Sequence, residues 1–364
     1  MLSLIVLSVF ICCRLSQELS TIVSNSKKRI AFSDLSFEKT IGRGKFASVH
    51  QVTYSCKVHC QLSRADRPDR LADALHILDE NSGQQNMDMT LAVKTPEYRN
   101  APALYPDLSR SSPIESSSID PSNAQPPSVQ LMETIREVKA LSVLNHPNII
   151  NYYGVTLEPR VCVVLELLHC SLAQVLSTST ADAEVALDNP QRILIIRDIC
   201  SGLKHLHEQK FAHLDIKPHN ILLSLANGGY AAKLADFGTA VELAEGEVLT
   251  KPVGTSGYTA PEISMPGRYD MRADIFSFAV VMWELLVYDG SGSPPVPNPF
   301  TGKDLDEAAC DAHGGVRPSL EPSCLPLLND AVAQAWATAP SSRLSLTGVL
   351  QAIDDASGSS NDRG

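Results

Sequence analysis

The sequence lacks an apolar run long enough to span a bilayer at its most apolar end. "MLSLIVLSVFICC" is uncharged for thirteen residues, against roughly 20 for a transmembrane helix. It has no basic region beyond the terminal amine and no clear small-residue cleavage site follows, so residues 1–20 read as an apolar extension, with a secretory signal as the alternative. A basic excess is also missing. Thirty Lys and Arg against forty-one Asp and Glu give a net charge of −11, which argues against a general nucleic-acid binder, because phosphate backbones attract the opposite sign. The nine cysteines are odd in number and follow no repeated spacing, so no disulfide framework is expected and a reducing, cytoplasmic location is the default. A secretory or membrane-associated location would require residues 1–13 to act as a signal. Cys56, His59 and Cys60 form half of a zinc-like pattern whose second pair is lacking. No internal repeat is present.

What is there suffices for a folded chain of about two lobes. With 44% apolar and 20% charged residues over 364 positions, the chain can bury a sizeable core. Residues 36–54 and 90–95 read as strands rich in β-branched side chains. Between them an insertion, 55–89, carries Leu71, Leu75 and Leu78 at helical spacing, and the Pro- and Ser-rich segment 96–130 reads as a surface loop. Leu131, Ile135, Val138, Leu141 and Leu144 then form a helical stripe that stops at "NHPNI", where Pro147 biases His146 away from helical geometry. "RVCVVLEL" reads as a buried strand. Asn189 and Pro190 fit the N-cap and first turn of a helix with Ile193, Ile196, Ile199, Leu203 and Leu206 on one face. Strands early and helices late imply an α+β architecture, with a β-rich lobe over 36–166, a helical lobe over 167–353 and a disordered tail over 354–364.

Several stretches carry chemistry. Gly42 and Gly44 in "IGRGKFASV" lie between strands, where backbone amides can approach phosphate oxygens without Cβ interference. A glycine-bearing hairpin alone is weak evidence. Lys94 ends a short buried strand and calls for an anion, and Glu137 on the following helix offers a counter-charge. In "FAHLDIKPHN", Asp215 could accept or orient a hydroxyl proton, and Lys217 could neutralise charge developing on a transferred phosphoryl group. Asn220 and Asp236 supply hard oxygens for Mg²⁺.

In this order the motifs resemble the eukaryotic protein kinase family from about residue 36 to 353. They are the glycine-rich loop, "LAVK", Glu137, "HLDIKPHN", "DFG" at 236–238, "APE" at 260–262, "DIFSF" from Asp274, and Arg343. The resemblance implies a bilobal protein kinase fold with ATP and Mg²⁺ as cofactors. It places ATP against Ile41, Gly42, Arg43, Gly44, Lys45, Phe46, Ala47, Ser48, Val49, Ala92 and Lys94, with Glu166 and Leu168 in the adenine-binding hinge and Leu165 as its gatekeeper. Asp215 would be the catalytic aspartate, Lys217 its companion, Glu137 the partner of Lys94, and Asn220 with Asp236 the metal ligands. Phe237, Gly238, Thr255 and Glu262 would belong to the activation segment, Asp274 and Arg343 to the structural frame, and Leu141, Tyr152, His213 and Phe237 to an apolar spine. Lys217 and Thr255 are similar to the residues that mark serine/threonine kinases.

Three departures qualify the likeness. Ala47 replaces the third glycine of the phosphate loop. Two insertions separate Gly44 from Lys94 and Lys94 from Glu137, which leaves Glu133 as a second candidate for the partner of Lys94. Leu214 stands where most kinases have an arginine that pairs with a phosphorylated activation loop. "HLDIKP", "ADIFSFA" and "VRPSL" look similar to Mos kinases, and equally to tyrosine-kinase-like serine/threonine kinases. The expected partner is a protein with a serine or threonine acceptor, such as a MAP kinase kinase. The alternative is a pseudokinase scaffold, although Lys94, Asp215 and Asp236 are all retained.

Overall fold

A computed structural model of the chain describes residues 18–22, 24, 29–43, 47–57, 86–96, 127–158, 161–179, 187–226, 228–244, 246–264, 268–291, 298, 300, 302–321 and 323–361. Residues 1–17, Gly44, Lys45, Phe46, His59, Cys60, Leu71, Leu75, Leu78 and most of 96–130 lie outside them. The α+β architecture is present, in two compact units: Met1–Val143 with Asn151–Leu167, and Leu144–Ile150 with Leu168–Gly364.

The first unit is built on an antiparallel sheet of order β1-β2-β3-β5-β4. Its strands are β1 (Leu35–Arg43), β2 (Ala47–Lys57), β3 (Asn86–Pro96), β4 (Tyr152–Thr156) and β5 (Cys162–Glu166). Because strand side chains alternate, Val52 and Tyr54, Leu91 and Val93, and Cys162 and Val164 meet on one face and close a core with Ile30 and Leu35. Ala92 and Lys94 therefore point to the other face. The unit begins before residue 36, since Ile30 N donates to Val155 O (3.0 Å).

Both insertions are shorter than the sequence suggests. The β2–β3 ladder runs out to Lys57 opposite Asn86, because each added pair satisfies backbone groups that a loop would leave to water. Helix α1 (Pro127–Val143) starts inside the segment read as loop, with proline in the first turn, where its missing N–H costs nothing. Leu131, Ile135, Val138 and Leu141 are buried along it.

The second unit takes in residues 144–150, which the sequence reading assigns to the first. Backbone bonds explain the difference: Ile150 N donates to Leu234 O (2.9 Å) and Leu234 N to Asn148 O (2.9 Å). The unit then comprises β6 (Cys170–Ser171), α2 (Leu172–Leu176), α3 (Asn189–Glu208), β7 (Phe211–Ala212), β8 (Ile221–Ala226), β9 (Gly229–Leu234) and β10 (Val241–Glu242). After these come α4 (Pro261–Ser264), α5 (Arg272–Val287), α6 (Leu305–His313), α7 (Asn329–Ala335) and α8 (Leu346–Asn361).

Helix α5 is buried on nearly every side, from Ala273 to Val287, as its apolar composition requires. Helix α3 is capped one residue earlier than expected: the Asp188 carboxylate accepts from Gln191 N (2.9 Å), which puts Asn189 and Pro190 in the first turn. On its face Ile193 is only half-buried, while Ile195 and Cys200 are fully buried. Helix α8 continues through residues expected to be a disordered tail, because Val349, Ile353 and Ala356 extend a buried stripe at spacings of four and three.

Candidate active site

In the first unit the sheet register brings together one group of the candidate residues. Val49 pairs with Lys94, Lys94 with Val163, and Ala92 with Leu165. Gly42 lies opposite Val49 and Arg43 opposite Ser48, with a register shift between Thr40 and Gly42. Such an irregularity twists a strand and re-aims its end. Ile41 is 43% exposed at this rim, whereas Ala92 and Leu165 are buried. Lys94 Nζ donates to both oxygens of Glu137, at 3.0 and 2.9 Å. Glu137 is only 2% exposed. A buried carboxylate is costly unless paired, and this contact fixes a lysine from β3 to a helix 43 positions away. The same carboxylate, after burial itself, pushes the Tyr152 phenol above its ordinary range. Glu166 accepts from Asn151 N (2.6 Å) and Asn151 Nδ2 (3.3 Å), which fastens the end of β5 to the start of β4.

In the second unit the loop between β7 and β8 gathers the polar groups. Lys217 Nζ donates to Asp215 Oδ2 (2.8 Å) and to Thr255 Oγ1 (2.7 Å), while Thr255 Oγ1 donates to Asp215 Oδ1 (2.6 Å). Asn220 Nδ2 donates to Asp215 O and to Asp215 Oδ2, each at 2.9 Å. Three side chains thus close a network around one carboxylate, which lowers the reorganisation left to the moment of reaction.

Asp274 underlies this loop. Its carboxylate, 0% exposed, accepts from His213 N (2.8 Å), Leu214 N (2.7 Å) and His207 Nε2 (2.9 Å). His207 was not singled out by the sequence. The signal available was a histidine one helical face from the loop, which without the fold looks like any surface residue. His213 completes the frame: Nε2 donates to Ala235 O (3.1 Å), Nδ1 accepts from Asp215 N (3.4 Å), and the ring lies 4.9 Å from Phe237. Phe237 and Gly238 are buried behind Asp236.

Two non-glycine residues of the site hold left-handed backbone, Leu214 (φ 67°) and Asp236 (φ 60°). Such positions cost of order 1–3 kcal/mol and persist where the surroundings over-determine them. At Leu214 the surroundings are the Asp274 carboxylate beneath its amide and an almost complete burial of its side chain. The arginine commonly found there is thus replaced by a core residue.

Beyond the network, Glu262 and Arg343 form a bidentate pair at 2.5 and 2.7 Å. Tyr258 OH donates to Glu284 Oε1 (2.8 Å), and burial raises the Glu284 carboxyl to about 7. Among the described residues no cluster of three or more His, Cys, Asp or Glu is placed to hold a metal ion. Asn220 and Asp236 carry hard oxygens, the donor type that Mg²⁺ takes together with water and phosphate oxygens.

Comparison with known proteins agrees with this geometry. The chain matches the family model for the protein kinase domain over residues 119–352. It is 28% identical over 221 residues to the serine/threonine/tyrosine-protein kinase HT1 of Arabidopsis thaliana, covering 60% of this chain and 53% of that protein. It is 28% identical over 227 residues to the Arabidopsis thaliana serine/threonine-protein kinase STY17, covering 62% and 37%. The dual specificity protein kinase pyk3 of Dictyostelium discoideum is 30% identical over 222 residues, covering 60% of this chain and 15% of that protein. The matched region spans from about a seventh to about half of the length of these relatives.

Proposed function

Given that the chain belongs to the protein kinase family, we propose that it transfers the γ-phosphoryl group of ATP to serine or threonine hydroxyls of a protein, with Mg²⁺. The observation that carries this reading is the closed Asp215–Lys217–Thr255–Asn220 network. Asp215 orients the acceptor hydroxyl and takes its proton as the new O–P bond forms and the bond to the leaving diphosphate breaks. Lys217 stabilises charge on the phosphoryl group in flight, and Thr255 holds both side chains in register. Lys94, held by Glu137, contacts the α and β phosphates. Asn220 and Asp236 would hold Mg²⁺, which would supply neutralisation of charge on the phosphate oxygens.

The preference for serine and threonine rests on Lys217 and Thr255 beside the acceptor position. Two of the relatives carry names that include tyrosine or dual specificity, so the amino acid labelled is part of the test. As finer proposals, the chain acts in the cytoplasm as a Mos-like or tyrosine-kinase-like signalling kinase, on a protein of the MAP kinase kinase type.

The experiment is transfer of labelled phosphate from ATP to a generic protein substrate by the full chain, beside Asp215→Asn. The proposal expects label on serine or threonine that falls by ~10³-fold or more in the variant. Label equal in both would overturn the role of Asp215. Label on tyrosine alone would overturn the acceptor class, and folded, ATP-binding chain without transfer would point to a scaffold.

A further inference from the structure

A second cluster of titratable groups lies outside the network described above. In the segment between α1 and β4, the His146 ring stacks on His205 of α3, with centroids 4.9 Å apart and planes inclined by 22°. His146 Nδ1 accepts a hydrogen bond from Asn148 N (3.1 Å), and Nε2 lies 3.4 Å from Ser201 Oγ. The remaining groups of Asn148 fasten this segment to its neighbours. Its side-chain amide donates to Ala232 O (3.0 Å), its carbonyl accepts from Leu234 N (2.9 Å), and the same carbonyl lies where a Cβ at residue 202 would approach to 2.6 Å. Gly202 therefore lets α3 lie directly against the segment.

We propose that the stacked His146–His205 pair is a proton-sensitive latch that holds residues 144–150 against α3 and β9 when neutral and releases them on protonation. Three features of the geometry make the neutral form the closed one. Nδ1 of His146 must carry a lone pair to accept from Asn148 N, so a proton there sets two donors face to face and removes the bond. His205 Nε2 is shielded from water and, among the described residues, has no hydrogen-bond partner, so an N–H placed there is a buried donor without an acceptor. Two imidazolium rings at this separation also repel.

The charged neighbours do not cancel these effects. Glu208, which favours the charged form of His146, is exposed and already ion-paired with Lys204 of the same helix. From α3 Asp198 also faces the Asn148 side chain, accepting from Ala232 N (2.8 Å) beside the Asn148 amide. From β9 the contacts to Asn148 are made by backbone groups. Burial first, and then His205, lower the affinity of His146 for a proton below its ordinary value. A histidine so depressed contributes stability that is present above its unfolded value and is lost as the pH falls through its folded one. The pH window is the acid side of the ordinary histidine range.

The test is amide hydrogen exchange of the full chain at about pH 7.5 and about pH 5.5, corrected for the intrinsic rate and beside the double variant His146→Phe with His205→Phe, which keeps two stacking rings without a titrating nitrogen. The latch predicts that protection at residues 144–150 falls ~10-fold on acidification in the parent and by less than about twofold in the double variant. Equal losses in both would assign the acid response to Asp198 or to the fold at large and overturn the proposal. No loss in the parent would overturn it as well. Because a phenyl ring could disturb packing, a proton NMR titration of the parent is the second measurement. A ring resonance of His146 that titrates at the ordinary histidine value would refute the latch independently of any variant.

Discussion

At the scale of single residues, charge is tolerated in the interior only where a partner is within hydrogen-bond distance. Lys94 and Glu137 illustrate it, joined by two bonds near 3 Å. Glu137→Gln should lower kcat/KM for ATP by ~10²-fold, since the lysine loses the charge that aims it at phosphate, whereas Glu133→Gln should change it by less than about twofold. Steady-state kinetics on both variants check this, and the reverse order would transfer the role to Glu133. Glu284 is the opposite case, a carboxyl whose burial raises it to about 7 while Tyr258 donates to one oxygen. Its folded form holds a proton that the unfolded chain has already released above the ordinary carboxyl range. The associated stability is present below that range and is lost as the pH rises toward about 7. Glu284→Gln can still accept from Tyr258 and should flatten this dependence, stabilising the chain at about pH 8 by an amount on the order of 1–3 kcal/mol. Urea unfolding of parent and variant across that range measures it, and parallel pH profiles would sink the assignment.

At the scale of elements, the segment from Asp236 to Glu262 is pinned without an arginine-to-phosphate contact at Leu214. β10 pairs with β7, Leu243 N donates to Lys210 O (2.7 Å), and Leu249 and Tyr269 exchange backbone bonds at 2.8 and 3.1 Å. Its hydroxyls are used internally: Thr239 bonds to His213 O (2.8 Å), Ser256 to Lys303 O (2.7 Å) and Thr259 to Thr255 O (2.8 Å). Thr250 is exposed. Thr250→Ala should therefore retain transfer within about twofold, because no arginine waits at position 214 for a phosphate. Gly254 is the sensitive point instead. At φ 116° it sits where a Cβ would approach Thr259 Oγ1 to 2.7 Å and Leu214 O to 3.1 Å, so Gly254→Ala should cost about 2 kcal/mol and most of the transfer activity. Loss of activity in Thr250→Ala with normal folding would show that the segment does depend on phosphorylation there.

Elements also show what the sequence reveals and what it hides. The strands around Lys94 and the loop at Asp215 were legible because their residue types and short spacings are dictated by phosphate and proton chemistry. The sequence points to Glu137 as the partner of Lys94 with Glu133 as a second candidate, since a helix presents residues four apart on one face and only the packing of α1 sets the rotation. The continuation of α8 to Asn361 was masked by the serines, glycine and aspartates near the end. These are weak helix formers whose propensity is overridden by the burial of Ile353 and Ala356. The His207 contact to Asp274 joins positions 67 apart, a distance that local pattern cannot bridge.

At the scale of the whole molecule, the second unit is closed by contacts between residues far apart in the chain, and Arg343 joins more of them than its neighbours do. Its guanidinium is fully buried, pairs with Glu262 81 positions earlier, and donates to Arg272 O and Ala337 O, each at 2.9 Å. It also lies 5.2 Å from the centre of the Phe276 ring, with Arg317 at 5.1 Å from the same ring. One side chain thus ties α4, the start of α5 and the turn before α8. A lysine there keeps the charge and loses the planar fork, so it can meet one carboxylate oxygen but not the second oxygen and the two carbonyls together. Breaking a buried pair while leaving its partner charged costs about 3–5 kcal/mol, and some of that returns because lysine remains a cation. Arg343→Lys should therefore lower Tm by roughly 5–10 °C while the Asp215 network stays intact in the folded fraction. Calorimetry gives the first number, and transfer activity measured well below the transition gives the second. A Tm unchanged within about 1 °C would mean that the apolar packing of α5 closes the unit without the ion pair. An intact Tm with lost transfer would place Arg343 on the path to the active site instead of in the frame.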